Sequence, residues 1–396
     1  MLDVLLLSRY NTYGRVAGAH VFAIPWQNWD LIRDTPLTIL INRDIMAIQH
    51  IKNVRIAGIS AAVPRNVRET ATCPAFENPE DAAKFIENVG VERVRAFKDN
   101  EITCADLCQK AAEALFGREG LEKEDIDLLV FVSQSQDYIL PATACVLHGK
   151  FGLSQGCCAF DISLGCSGWV YGISVVAAMM ESGAFKKCLL LAGDTQIIAP
   201  GNDLSKPLFG FAGTATILKH DATAPEMVID TQTDGTGYEA IIKRAGARRH
   251  PFDEHSLEVI TDKWGNRHRP IDTEMDGESV FVFGITKVPK AVKGMLKLTG
   301  KSVEDVDYFL FHQANLMMNE QIRKKCKIPE EKCPYSLRDF GNNSSASIPL
   351  TMVTQIADDL RTRDTDVIAC GFGVGLSWAT MHVHLEKPFV APLVEI

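Results

Sequence analysis

From Met46 onward the chain alternates short apolar runs with longer mixed segments. DIDLLVFVSQS (125–135), CCAFDIS (157–163) and CLLLAGD (188–194) have the length and the Leu, Val, Ile and Phe content of buried strands. Between the last two lies SGWVYGISVVAAMMESGAF, whose residues 173–180 are apolar on nearly every helical face. That pattern predicts a helix buried all round, with Gly183 at its C-terminal end. MAIQHIKNVRIAGISAAVPRN, opening at Met46, reads as a strand running into a loop. Strands alternating with helices predict a sheet with helices packed on both faces.

One stretch is echoed. GLEKEDIDLLVFVSQS (120–135) and KSVEDVDYFLFHQANL (301–316) share an acidic loop, Ile or Val before Asp, an apolar strand and a polar turn. The echo predicts two halves of similar length, 46–220 and 221–396, packed as one body. Residues 1–45 lack this periodicity. Two readings stand for them: an extension upstream of a native start at Met46, or a genuine N-terminal arm.

Composition narrows the class. At 396 residues, 46% hydrophobic and 23% charged, the chain is an ordinary globular protein. A net charge of −9 argues against nucleic acid as a partner. No apolar run approaches the ~18–20 residues that span a bilayer, and no basic-then-apolar leader opens the chain. A cytoplasmic location with no membrane partner is expected. The 11 cysteines lie mostly in apolar runs such as GCCAF and KCLLL, as free thiols in a reducing compartment do. Cys104 and Cys108 are four apart, but no second pair at ligand spacing accompanies them, so no metal site is expected.

Four stretches carry candidate chemistry. In DISLGCSGW (161–169), a strand delivers Cys166 to a turn that opens the buried helix. A helix N-terminus lowers a thiol pKa and favours the nucleophilic thiolate; the alternative is a buried structural thiol. In YFLFHQANL (308–316), His312 closes an apolar strand, where α/β sheets place ligands; a structural histidine is the alternative. FGNNSSASIPL (340–350) offers Asn342 and Asn343 as amide donors, or simply caps a helix. ACGFGVGLSW (369–378) lacks the Lys-Ser/Thr of a phosphate loop and precedes an alternating, strand-like segment, so it reads as a source of backbone N–H groups.

Taken in order, DYILPATAC (137–145), GCSGWVYG (165–172), LFGFAGTATIL (208–218), TDGTG (233–237), HQAN (312–315), GNNSSAS (341–347) and GFGVGLSW (371–378) resemble the β-ketoacyl-acyl-carrier-protein synthase III family of thiolase-superfamily condensing enzymes. The resemblance runs from about Val54 to His384. It implies a thiolase-like α/β fold of five layers, αβαβα, built from two duplicated halves. It implies a triad of Cys166 in the first half with His312 and Asn342 in the second. Cys166 would take an acyl group from acyl-CoA or acyl carrier protein, with backbone N–H groups of Cys166 and Val374 facing the oxyanion. A malonyl carrier thioester would then lose carbon dioxide and condense to a β-ketoacyl thioester. The resemblance implies no metal or redox cofactor. It further implies a homodimer in which Leu140 of one subunit lines the other's acyl pocket, Phe372 on that pocket's wall, and docking of acyl carrier protein on Arg323, Lys324 and Lys325.

The chain also departs from the family. Lys84 and Asn88 stand where members that use acetyl-CoA carry Trp and Arg on adenine, which counts against CoA as the donor. Leu316-Met317 replaces Leu-Arg after HQAN, and Phe211 replaces an acidic residue. Leu140 is smaller than a Phe gate and points to a medium or branched acyl chain. Two other readings follow: transfer of the acyl group to an oxygen or nitrogen acceptor without condensation, and a non-catalytic partner subunit of a synthase.

Overall fold

The computed structural model describes residues 47–118, 120–196, 207–261 and 267–396; the reading of residues 1–45 as an extension lies outside them. In chain order, the principal strands of the first half are β1 (Ala47–Ile51), β2 (Val54–Val63), β3 (Leu128–Val132), β4 (Cys158–Ile162), β5 (Lys187–Asp194) and β6 (Ala212–His220). They are followed by β7 (Met227–Thr233), β8 (Tyr308–Phe311), β9 (Thr365–Gly373), β10 (Ser377–Leu385), β11 (Phe389–Val390) and β12 (Val394–Glu395). The helices that matter here are α1 (Pro79–Val89), α2 (Cys104–Glu113), α3 (Thr143–Phe151), α4 (Gly168–Glu181), α5 (Gly277–Thr299), α6 (Leu316–Cys326) and α7 (Ser347–Gln355).

Two large sheets result. One runs β11-β2-β6-β5-β3-β4, with β12 also on β2; the other runs β1-β7-β10-β9-β8. They repeat one pattern. In the first, β3 is parallel to β5, β5 antiparallel to β6, and β6 antiparallel to β2. In the second, β8 is parallel to β9, β9 antiparallel to β10, and β10 antiparallel to β7. Strands β3 and β8 belong to the two echoing stretches, so the repeat marks the same place in each sheet. A cut at residue 220 does not separate the sheets, however. Strand β1 joins the second sheet, and β11 and β12 return to the first. Residues Met46–Ile396 form one compact unit.

Side-chain alternation builds the layers. On β3, Leu128, Val130 and Val132 face the middle core with Trp169, Ile173 and Val176 of α4 and Leu350 of α7. Leu129 and Phe131 face the opposite way, against Leu107 of α2 and Leu147 of α3. On β8, Leu310 joins the middle core, while Phe309 and Phe311 pack on Val288 of α5 and Ile322 of α6. Strands buried on both faces read as continuous apolar runs, which explains why β3 and β8 show no alternation in sequence. The order is helix, sheet, helix, sheet, helix.

Helix α4 lies in the middle layer, with Trp169 donating from Nε1 to Thr216 Oγ1 at 3.0 Å. It is not buried all round: Ala178 is exposed and Val175 and Met179 are half-buried. Gly183, with φ 77°, follows its end. The strand-like segment LSWATMHVHLE (376–386) forms β10, nearly all buried because it is an inner strand of its sheet. Among the described residues, no helix is long and apolar enough to cross a membrane.

Candidate active site

The residues singled out by the four stretches meet where strands of both sheets end. Cys166 follows β4, His312 follows β8, and Val374 follows β9. Asn342 is brought there by backbone pairing with the Leu208–Gly210 segment: its N–H donates to Leu208 O at 2.9 Å, and its carbonyl accepts from Gly210 N–H at 3.0 Å. Cys166, His312, Asn342, Phe372 and Val374 all line one cavity of about 350 Å³.

Cys166 sits in a tight turn closed by Gly168 N–H on Gly165 O at 2.7 Å. Its sulfur lies 4.0 Å from Ser344 Oγ. Burial pushes the thiol pKa up to about 11; the backbone N–H groups of Val374 and Cys166 and the Ser344 hydroxyl pull it down, and the Asp194 carboxylate adds to the rise. The expectation that the helix N-terminus lowers this pKa is therefore corrected: desolvation outweighs the helix end. Yet the two N–H groups that favour the thiolate are Cys166 and Val374, the pair expected to face an oxyanion. Iodoacetamide alkylation of Cys166 should rise about tenfold per pH unit from about pH 7 to about pH 10, as the thiolate fraction grows. A rate already level near neutral pH would contradict a neutral resting thiol.

Glycine is needed beside the thiol. Gly373, with φ 157°, closes β9; a Cβ there would lie 2.7 Å from Cys166 Cβ and 2.8 Å from Sγ. The glycines at 371 and 373 thus let the last residues of β9 lie against the Cys166 turn, and the connection to β10 shrinks to Val374–Leu376. Gly373→Ala should lower the rate of thioester acylation at least tenfold, because the methyl group occupies the space of the sulfur. Acylation kinetics on protein with unchanged circular dichroism check this; a parent-like rate would contradict the packing.

His312 is buried, its ring edge-on to Phe372 with centroids 5.5 Å apart. Burial pushes its pKa down to about 3, only partly opposed by the backbone at Ser344. The ring is neutral at physiological pH, with one N–H and one lone pair. Nδ1 is buried and has no hydrogen-bond partner. Asn342 is also buried, and its Oδ1 accepts from Ser344 N–H at 2.9 Å. With the oxygen engaged, the amide nitrogen is the end left for the cavity. Ser344 itself takes φ 49°, unusual for a residue with a side chain.

Sequence reasoning missed Asp194. It ends β5, lines the cavity, and accepts from Ser133 Oγ (3.0 Å), Gln134 N–H (2.7 Å), Ser135 Oγ (3.2 Å) and Ser345 Oγ (3.3 Å). Burial raises its pKa above the usual carboxylate range, against these hydrogen bonds. The signal was present: CLLLAGD closes an apolar strand with a polar residue, as YFLFH does.

Other expected positions fall differently. Phe372 lies on the cavity wall; Leu140, expected to line the other subunit's pocket, is 81% exposed and does not line its own chain's cavity. Arg323, expected as a docking cation, is engaged within its own chain. Its guanidinium grips both oxygens of Glu320 at 2.7 Å and donates to Ile328 O at 2.9 Å. Arg323 in turn holds Glu320 down to about 2. Lys324 is exposed but 3.6 Å from the same carboxylate, and Lys325 donates to Ile285 O at 2.9 Å. Phe211 is buried at the cavity, tilted against Phe97. Lys84 and Asn88 are exposed on α1 beside a separate hollow that includes Phe76 and Phe85.

A thiol from one repeat meeting a neutral imidazole and an amide from the other, within five layers, defines the thiolase-like condensing enzymes. The comparisons agree. Residues 160–237 match 3-Oxoacyl-[acyl-carrier-protein (ACP)] synthase III, and residues 296–385 match its C-terminal family. Beta-ketoacyl-[acyl-carrier-protein] synthase III of Clostridium tetani (strain Massachusetts / E88) is 30% identical over 338 residues, 83% of this chain and 97% of the relative. The crystal structure of 3-oxoacyl-(acyl-carrier protein) synthase from Burkholderia xenovorans LB400 superposes with a TM-score of 0.82 at 33% identity, covering 89% of this chain and 99% of that one. A second structure, of a 3-oxoacyl-(acyl-carrier-protein) synthase III, gives 0.78 at 33% identity, covering 84% and 99%. The chain belongs to the β-ketoacyl-[acyl-carrier-protein] synthase III family of acyltransferases.

Proposed function

We infer that this chain forms an acyl-enzyme at Cys166 and condenses the acyl group with a malonyl thioester carried on acyl carrier protein. The observation that carries the reading is the convergence of Cys166, His312, Asn342 and the Val374 backbone on one cavity.

The chemistry follows from those groups. Cys166 Sγ attacks the thioester carbonyl, and the oxyanion takes hydrogen bonds from the Cys166 and Val374 N–H groups. The thiol proton passes to the departing thiolate in the same transfer, since a ring with a pKa near 3 does not keep it. The malonyl thioester then loses carbon dioxide. The enolate oxygen that forms accepts from the His312 N–H and the Asn342 amide nitrogen. The enolate carbon attacks the acyl-cysteine carbonyl, the Cys166 thiolate leaves, and a solvent proton restores the thiol. Every step uses the thioester substrates and the chain's own groups.

Donors that cannot move in a buried site suit decarboxylation better than transfer to an oxygen or nitrogen acceptor, which develops no enolate. A non-catalytic subunit would have no use for the assembled triad. Tyr138, Ile139 and Leu140 form an exposed apolar stretch, which supports a second copy of the chain covering it. Lys324 and Lys325 remain the exposed cations of α6 for an acidic carrier protein. The test is intact-mass spectrometry after incubation with matched acyl-CoA and acyl-carrier thioesters. A single acyl adduct mapped to Cys166 is expected; no adduct from any thioester would reject the reading.

A further inference from the structure

Two hydroxyls lie behind the Cys166 turn, and the chemistry above uses neither. Ser167 follows the nucleophile and Ser377 opens β10, 210 residues later. Both are buried, at 1% and 2% exposure. Their oxygens are 2.7 Å apart. Ser377 Oγ also lies 2.7 Å from the Val374 carbonyl oxygen, which can only accept. Each hydroxyl has one proton, so the direction is fixed: Ser377 donates to Val374 O, and Ser167 donates to Ser377 Oγ. The serines thus link the Cys166 turn to the residue whose N–H faces the sulfur.

Val374 needs such a link. It stands between Gly373 at φ 157° and Gly375 at φ 137°. Glycine adopts these angles without a side-chain penalty and leaves them as easily. The flanking residues therefore do not hold the Val374 peptide groups at one angle. Backbone pairing holds the rest of the turn: Gly373 is in register with Ser377, and Leu376 exchanges hydrogen bonds with Asp234 at 3.2 and 2.8 Å. The Val374 carbonyl takes its hydrogen bond from the Ser377 side chain instead. The two turns can touch because Gly371 has no side chain; a Cβ there would lie 2.9 Å from Cys166 O and from Ser167 Cα.

We propose that Ser167 and Ser377 are positioning residues whose hydroxyl chain locks the Val374 turn against the Cys166 turn, so that both oxyanion donors point at one place. This rests on the acyl-enzyme reading above and adds the side chains that aim its two backbone donors. Neither serine lines the cavity, so both act through Val374 and not on the substrate. A donor stabilises an oxyanion because it is already in place when the charge develops. Without the chain, the Val374 N–H points at the oxyanion only part of the time. The same N–H faces the resting sulfur, so ionisation of Cys166 reads its aim independently of any thioester.

In Ser377→Ala protein, the limiting rate of acylation by a thioester should fall about tenfold, with the half-saturating thioester concentration near the parent value. Iodoacetamide alkylation, which forms no oxyanion, should be about threefold slower at each pH between about 7 and about 10. The thiolate loses a donor that favours it, so the rate curve moves to higher pH. Ser377→Thr keeps the hydroxyl and should recover both rates. Ser167→Ala removes the support of Ser377 and should show both changes at smaller size. The double alanine variant should be no slower than Ser377→Ala, since both act through one bond. Parent-like acylation in Ser377→Ala, losses that multiply in the double variant, or slowed acylation with an unmoved alkylation curve each overturn the proposal. Circular dichroism confirms the fold of each variant, and Ser167→Ala takes over the test if Ser377→Ala does not fold. Failure of the parent to acylate would reject the acyl-enzyme reading; the alkylation curves, which need no thioester, would still decide whether the serines aim Val374.

Discussion

Cys166→Ala is expected to abolish covalent acyl loading, while Cys104→Ala and Cys188→Ala load as the parent does. Cys104 and Cys188 are fully buried in packed layers, and burial pushes both thiols well above the ordinary range. Cys166 is half-buried and is the one cysteine among the cavity's lining residues. It also has two backbone N–H groups and a hydroxyl directed at its sulfur, arranged to receive negative charge. Alanine removes the nucleophile and leaves the fold's hydrogen bonds in place, because Cys166 holds the turn through its backbone. Intact mass after exposure to an acyl thioester reads the outcome. A stoichiometric adduct on the Cys166→Ala protein would falsify the assignment.

Asn342→Ala should leave loading intact and slow condensation on the order of a hundredfold or more. One fixed donor to a developing oxyanion contributes about 3–4 kcal/mol in a site closed to water. The enolate forms only after malonyl decarboxylation, so the acylation half of the reaction does not need the amide. The substitution also frees Ser344 N–H, which now donates to Asn342 Oδ1. Asn342→Asp keeps that acceptor and removes the donor, and should show the same split between the two steps. Condensation at the parent rate in both variants would remove Asn342 from the enolate site.

Much of this was legible in the sequence because it is local. Strands closed by a single polar residue, a cysteine between glycines before an apolar helix, and two echoing loop–strand–turn stretches all follow from neighbouring residues. The swap of β1, β11 and β12 between sheets was not legible, since strand pairing across more than a hundred residues leaves no periodic trace. The raised thiol pKa was missed because burial depends on what the rest of the chain brings over the turn. The engagement of Arg323 could have been read: Glu320 stands three residues earlier, one helical turn away on the same face. The glycines of GFGVG suggested a loop, but Gly371 and Gly373 belong to β9, and their purpose shows only against the Cys166 turn.

The central claim is that an acyl group on Cys166 leaves by forming a carbon–carbon bond. It is tested by isolating the acyl-enzyme, adding malonyl carrier protein, and following the adduct mass and carbon dioxide together. Loss of the adduct with one carbon dioxide released per acyl group, and a β-ketoacyl chain on the carrier, is the predicted result. Loss of the adduct to water or to an oxygen or nitrogen acceptor, with no carbon dioxide released, would contradict it.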